Sequence, residues 1–382
     1  MSYFSDKAIE QNEKSNLSEL DKTICIECVK DAFLERIVLN NAISNRCSYC
    51  NKKFRSHKAA SYNIVMHAIY DGIYKYYGDA YSVNLPYSEG EWLFEAHYIG
   101  DILFKFDPGW CEEFYCDIEN SADPFQYLVP HTNNSWLELP ENEVLMYSWD
   151  SFKDQVLYKT RYLFLNEPID EINDEQIIPV SQMLNALEDL CIEFNLVKKI
   201  RKKSLFYRVR SQLKDESFSE FNHMGVAPQK IASAGRMNPG GIPYFYIADS
   251  ALTAKLEVIK DQEYWSYATF KLKKDIEVID FSNLPKIPSI FDVNEYSSRQ
   301  KLMFLYDLVS DMSKPVGPDV KDHIEYIPTQ VVSEFFRYRF NPKVKGIRYK
   351  SVKNKEGINI AFFESDNEKI KDYFELLNIE RN

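Results

Sequence analysis

The sequence predicts an α+β protein, with a mainly helical first half that opens on a zinc ribbon and a second half in which short strands and helices are mixed. Three observations carry this reading. Two Cys-x-x-Cys pairs, Cys25/Cys28 and Cys47/Cys50, stand eighteen residues apart. Up to about residue 200, apolar residues recur mainly at helical three- and four-residue spacing. After Ser204 the pattern changes to short strand-like runs such as Ile276 to Phe281 and Ile358 to Phe363.

Composition sets the outer bounds. With 45% hydrophobic and 27% charged residues the chain matches an ordinary globular protein, which excludes wholesale disorder and collagen-like repeats. At roughly 150 residues per domain, 382 residues suggest two or three domains. We place them at 1–58 for the ribbon, 59–200 for the helical segment and 201–382 for the mixed segment. No run approaches the ~18 apolar residues of a membrane-spanning helix. Met1 to Asn16 lacks the apolar core of a signal peptide, so the sequence reads as cytoplasmic with no membrane partner. The balance of 46 basic against 58 acidic residues, net −12, argues against nucleic acid as the main partner, because phosphate binding is driven by Lys and Arg. Neither a GxxxxGK[ST] loop nor a GxGxxG is present among only 12 glycines, which argues against P-loop and Rossmann nucleotide binding. The 26 tyrosines imply a large core with polar tips, since a buried Tyr hydroxyl needs a partner.

The elements follow in chain order. The four cysteines fit the spacing of a closed tetrahedral site for a structural Zn2+, with Asn51-Lys52-Lys53 as a polar turn after the second pair. Four thiolates leave no position for a catalytic water. Two separate reduced pairs, or one redox pair, are the alternative. Asp31 to Ile43 reads as a short helix and Ala59 to Tyr77 as a longer one. Met146 to Leu165 is again helical. Asn166 to Pro179, acidic and poor in apolar residues, reads as a loop. Val180 to Lys203 reads as one amphipathic helix ending in Lys198, Lys199, Arg201, Lys202 and Lys203, cations suited to a helix C-terminus. Beyond it, strands are expected at Leu205–Val209, Tyr244–Ile247, Tyr267–Leu272, Ile276–Phe281 and Ile358–Phe363. Helices are expected at Ala251–Ile259 and Val331–Tyr338.

Four pieces of the second half stand out: Phe206-Tyr207-Arg208-Val209-Arg210, the turn-rich Gly235-Arg236-Met237-Asn238-Pro239-Gly240-Gly241, the strand–helix block from Tyr244 to Ile259 with Glu257, and Gly346-Ile347-Arg348-Tyr349-Lys350-Ser351. Singly, each has an ordinary reading. Glu257 is by default a solvated helix residue, and Tyr246 a core residue with a satisfied hydroxyl. The ordered set is what points to chemistry. From Leu205 to about Ser365 the chain resembles the RES domain, in Arg236 within G-R-x-N-x-x-G, Tyr246 ten residues on, Glu257 eleven further, and the string Y-x-A-D-S-x-x-T-A-x-L-E-V. Glu325 to Arg337 and Gly346 to Ser351 resemble its later elements.

The resemblance implies an ADP-ribosyltransferase-like fold and a toxin that destroys NAD+ by hydrolysis or phosphorolysis, often paired with an antitoxin. It carries Arg208, Arg236, Tyr246, Glu257 and Ser351 over as site residues, with Ser333 competing with Ser351. The chemistry agrees. Cleaving nicotinamide from ribose passes through an oxocarbenium-like centre that a carboxylate, Glu257, stabilises. Guanidinium groups, Arg236 and Arg208, suit the pyrophosphate. Tyr246 offers a ring face for nicotinamide or a hydroxyl for ribose, and Ser351 a hydrogen bond to the nicotinamide amide. Transfer of ADP-ribose to a protein or nucleic acid would use the same residues. A non-enzymatic zinc-ribbon adaptor is the third reading. The first half resembles the HEPN-like module that precedes some RES domains. None of the six histidines follows an Arg at the R-x4–6-H spacing of active HEPN ribonucleases, so a recognition, regulatory or homodimer-forming role is expected there.

Overall fold

The computed structural model describes residues 17–106, 109–163, 177–214, 216–259, 264–314 and 322–382. The polar N-terminal stretch 1–16, residues 107–108, positions 164–165 of the expected helix Met146–Leu165 and positions 166–176 of the expected acidic loop lie outside these. Packing groups the chain into two units, Met1–Glu143 with Ile287–Lys301, and Val144–Lys286 with Leu302–Asn382. The boundary read from sequence near 200 therefore falls inside the second unit.

In the first unit, strands β1 (Thr23–Cys25), β2 (Ala42–Ser44) and β3 (Ala59–Ser61) form a sheet in the order β1-β3-β2. Between β1 and β2 lies helix α1 (Ala32–Asn40), started by the Asp31 carboxylate, which accepts from the Phe33 and Leu34 amides. The long helix expected from Ala59 to Tyr77 is shorter at both ends. Ala59–Ser61 is the central strand β3, and α2 spans Tyr62–Tyr76 before Tyr77 opens β4 (Tyr77–Asp79); β5 (Tyr87–Ser88) pairs with β6 (Glu91–Trp92), and β4 with β7 (Leu128–Pro130). Its apolar stripe, Val65, Met66, Ile69 and Ile73, is fully buried. Two of its tyrosines are satisfied as the composition requires: Tyr62 meets Ser121 Oγ at 2.7 Å, and Tyr70 donates to Ile118 O at 2.6 Å. Gly72 is needed for contact. A Cβ there would stand 2.5 Å from Phe291 Cα, where segment 287–301 lies on the helix.

The second unit is built on one eight-stranded sheet of β8 (Val197–Ile200), β9 (Leu205–Ser211), β10 (Phe245–Ala248), β11 (Trp265–Leu272), β12 (Ile276–Asp280), β13 (Gly346–Lys350), β14 (Ile358–Phe362) and β15 (Phe374–Arg381). Their order in the sheet is β15-β11-β9-β10-β14-β13-β12-β8. Every pairing is antiparallel except β12 with β13. Side-chain alternation divides the two faces. Phe206, Phe245, Ile247, Phe270, Ile360 and Phe362 join one core, with Phe374 closing it. Ile279, Ile347 and Ala361 join another, under the helices at Glu141–Asp154, Met183–Glu193, Tyr296–Ser313 and Ile327–Tyr338.

Three expectations are corrected here. The amphipathic helix is confined to Met183–Glu193, because Asn195 turns the backbone left-handed at φ 50° and Leu196 is buried. The basic run does not cap that helix. Lys198 and Lys199 lie on edge strand β8, antiparallel to β12. The helix expected over Met146–Leu165 is regular only over Glu141–Asp154 and continues as one wide turn, Gln155–Lys159. Strand β15 and the helix Tyr296–Ser313 were not foreseen. Among the described residues, no helix is long and apolar enough to cross a membrane.

Candidate functional site

The sheet opens beside one residue pair. Strand β9 pairs with β11 from Leu205 to Ser211, and β10 pairs with β14 along its whole length. Yet β9 and β10 register only at Tyr207–Ala248. Arg208 bridges the two strands instead, donating from Nη1 to Tyr246 O at 2.5 Å with its guanidinium over the Phe245 ring. Burial, with a smaller push from Arg210, brings Arg208 down to about 9, so it stays cationic at neutral pH. Its Nε is buried without a hydrogen-bond partner, and no carboxylate of the described residues pairs with it. Arg210 plays a bracing part, donating to His223 O and Gly225 O.

At this opening lies a cavity of about 240 Å³, lined among others by Tyr207, Arg208, Tyr246, Glu257, Tyr349 and Asn359. Helix α3 (Ala251–Val258) places Glu257 there. Ser250 caps that helix by accepting from the Thr253 amide, and Ala254 and Val258 line the cavity from the same face. Glu257 Oε1 accepts from Ser351 Oγ at 2.6 Å and from Asn359 Nδ2 at 2.7 Å. Ser351 follows β13, and its hydroxyl also accepts from the Lys353 and Asn354 amides. Asn359 on β14 stands in register with Ala248 on one side and Tyr349 on the other. Burial and the nearby Glu257 charge push the Tyr349 hydroxyl well up, with Arg236 acting the other way, so it is protonated at neutral pH.

The Gly235–Gly241 loop is held from inside. Gly235 N donates to Asn238 O, and Gly241, at φ 81°, donates to Ala232 O. The Tyr246 hydroxyl donates to Asn238 Oδ1 at 2.8 Å and accepts from the Met237 amide at 3.1 Å. Burial pushes that hydroxyl far up. Tyr246 thus commits its hydroxyl to the loop and leaves its ring to the cavity. Arg236 does not line the cavity. It lies beside it, its Nη1 donating to Met312 O at 2.5 Å and Lys314 O at 3.1 Å at the end of the helix Tyr296–Ser313, and its guanidinium over Tyr326. Its other N–H groups have no hydrogen bond among the described residues. Ser333 lies elsewhere, fully buried and donating to Thr329 O and towards Met237 Sδ.

The sequence-derived residues Arg208, Tyr246, Glu257 and Ser351 therefore converge, while Arg236 is held outside the cavity against Met312, Lys314 and Tyr326. Sequence reasoning missed Asn359 and Tyr349. The available signal was a lone polar residue within the apolar strand Ile358–Phe362, now 8% exposed.

In the first unit, the sulfurs of Cys25, Cys28, Cys47 and Cys50 all lie within 4.8 Å of one another, close enough to hold a metal ion. Cys25–Cys28 and Cys25–Cys50 are 3.7 Å apart and Cys28–Cys47 3.8 Å, far beyond a disulfide bond of about 2.05 Å. Two left-handed residues, Lys30 and Asn51, turn the chain after each pair.

No curated protein and no solved structure matches the chain. Two family models do: HEPN/RES N-terminal domain 1 over residues 40–170, and the RES domain over 205–377, which spans every residue of the cavity. Residues 205–377 thus match the RES domain and residues 40–170 the HEPN/RES N-terminal domain 1.

Proposed function

We propose that the protein degrades NAD+ by cleaving the nicotinamide–ribose bond and acts as a toxin or defence effector. The observation that carries this is the pairing of opposite charges at one opening. An anchored carboxylate, Glu257, faces a cavity that also contains Arg208, a buried cation with no carboxylate partner among the described residues. NAD+ presents the complementary pattern, a ribose carbon that becomes positive and an anionic pyrophosphate. At about 240 Å³ the cavity is below the ~300–1,000 Å³ usual for a drug-sized ligand, which suits one end of a dinucleotide.

In the reaction the bond between ribose C1′ and the nicotinamide nitrogen breaks, and the bonding pair leaves with nicotinamide. The positive charge left on C1′ and the ring oxygen is stabilised by Glu257. Water then attacks C1′ and loses a proton, giving ADP-ribose; phosphate in its place gives the 1″-phosphate. Arg208 holds the pyrophosphate where it enters the cavity and Arg236 holds it from outside, and the Tyr246 ring packs on nicotinamide. The parted strands β9 and β10 support an ADP-ribosyltransferase-like fold. The four cysteines support a structural Zn2+: bonds of about 2.3 Å to a tetrahedral zinc place the sulfurs about 3.8 Å apart, which is the spacing of the pairs above. An antitoxin or other regulatory protein would restrain the activity in the cell.

The test is NAD+ consumption by the purified chain, with and without phosphate, beside Glu257→Gln. Loss of NAD+ that disappears in the variant is expected, and phosphate dependence separates phosphorolysis from hydrolysis. Equal turnover by the variant overturns the assignment. No turnover in either buffer shifts the reading to ADP-ribose transfer, tested by adding protein and nucleic-acid acceptors.

A further inference from the structure

Counting hydrogen bonds at Glu257 separates the parts its neighbours play. A serine hydroxyl has one donor and two acceptor positions. All three are used at Ser351: it donates to Glu257 Oε1 and accepts from the amides of Lys353 and Asn354. Nothing is left over for a substrate amide. Asn359 has two amide hydrogens, of which one goes to the same Oε1. Oε1 therefore carries two donors, while Oε2 accepts from no described residue. Ser351 is locked by the turn that follows β13, and Asn359 by its place between β10 and β13 in the sheet.

We propose that Ser351 and Asn359 form a clamp that immobilises one oxygen of Glu257 and presents the other, Oε2, to the ribose. Both are positioning residues. Ser351 does not touch nicotinamide, and Asn359, which no sequence motif singled out, is its equal partner. The consequence is directional. A carboxylate swinging about its side-chain torsions shares its charge between two oxygens and several positions. A clamped one keeps Oε2 in place before the substrate arrives, so no reorganisation is needed as charge develops.

This inference rests on the NAD+ reading, and its test has one arm that does not. The isosteric Asn359→Asp keeps size and shape but loses the donor and adds a like charge, while Ser351→Thr keeps the hydroxyl. A hydrogen bond to a charged group contributes about 1.5–3 kcal/mol, so Asn359→Asp and Ser351→Ala are expected to lower kcat about 10- to 100-fold with KM for NAD+ nearly unchanged. Ser351→Thr is expected to retain most of the activity, and the double variant Ser351→Ala/Asn359→Ala to approach Glu257→Gln. A raised KM with unchanged kcat in Ser351→Ala would show that Ser351 contacts substrate and would overturn the clamp. So would an active Asn359→Asp, which a mere packing role allows. The independent arm is carboxyl NMR of chain labelled with 13Cδ-glutamate, without nucleotide, with the Glu257 signal assigned through Glu257→Gln. That signal is expected to move in both Ser351→Ala and Asn359→Ala; a signal unmoved in both refutes the clamp whatever the substrate proves to be.

Discussion

Tyr246→Phe is the most informative single substitution at the loop that carries Arg236. The hydroxyl it removes is the partner of two groups at once, Asn238 Oδ1 at 2.8 Å and the Met237 amide at 3.1 Å. Both residues are buried, Met237 at 2% and Asn238 at 3% exposure, so water cannot readily take the vacated place. Leaving a buried donor or acceptor unsatisfied costs about 1–3 kcal/mol, and two of them, with some relaxation of the loop, come to about 2–4 kcal/mol. Gly235 shows how little room the loop has, since a Cβ there would stand 2.5 Å from Asn238 Oδ1 and 3.0 Å from the Tyr246 hydroxyl. Urea unfolding of the full chain, followed by tryptophan fluorescence, measures the loss. Steady-state kinetics measures its consequence: a loosened loop misplaces Arg236, so KM for NAD+ rises while kcat changes less. A variant as stable as the wild type to within about 0.5 kcal/mol, with a lowered kcat and unchanged KM, refutes the reasoning. The hydroxyl would then act on the substrate and not on the loop.

Two further outcomes are expected. Metal analysis of the purified chain finds one Zn2+, lost in Cys25→Ser/Cys47→Ser together with the folding of the first unit, because both cysteines are fully buried in its core; an intact chain without metal removes the ribbon. In the second unit Asp311 accepts from Trp149 Nε1, Lys153 and Lys314. Burial raises its carboxyl, but these donors outweigh burial and hold it down at about 2. A folded value below the unfolded 3.8 adds stability above pH 4 that fades as pH falls towards 2. Asp311→Asn therefore costs about 1–2 kcal/mol at pH 7 after solvent screening, and the gap to wild type closes by pH 2. A gap independent of pH refutes the assignment.

Much of the site was legible because its residues come in ordered local strings. Glu257 lies on the helix that Ser250 begins, Arg236 in a loop dense with turn formers, and Ser351 directly after a strand, so each could be placed from its neighbours. What could not be read was which atoms meet. That Arg236 lies against the end of the helix Tyr296–Ser313 depends on a contact across 76 residues. Asn359 gains its meaning only from strand register. The misread helix end has a local cause: Leu190, Cys191 and Phe194 keep helical spacing up to the turn, and one left-handed Asn195 breaks it. Val197 and Ile200 then contribute to opposite faces of a sheet, a pattern too short to stand out beside five cations. Strand β15 alternates weakly, with five of its eight residues exposed, and is recruited by pairing with β11.

That cationic strand has a bearing on how the protein survives its own synthesis. A sheet of eight strands ends in two open borders, each a row of backbone groups ready to pair with another chain. On β8 the two exposed residues are Lys198 and Lys199, and Arg201, Lys202 and Lys203 follow at once. A second copy approaching that border in antiparallel fashion would bring lysine against lysine over a strand only four residues long. The same charges that looked like a helix ending thus disfavour pairing of another strand along this border of the sheet.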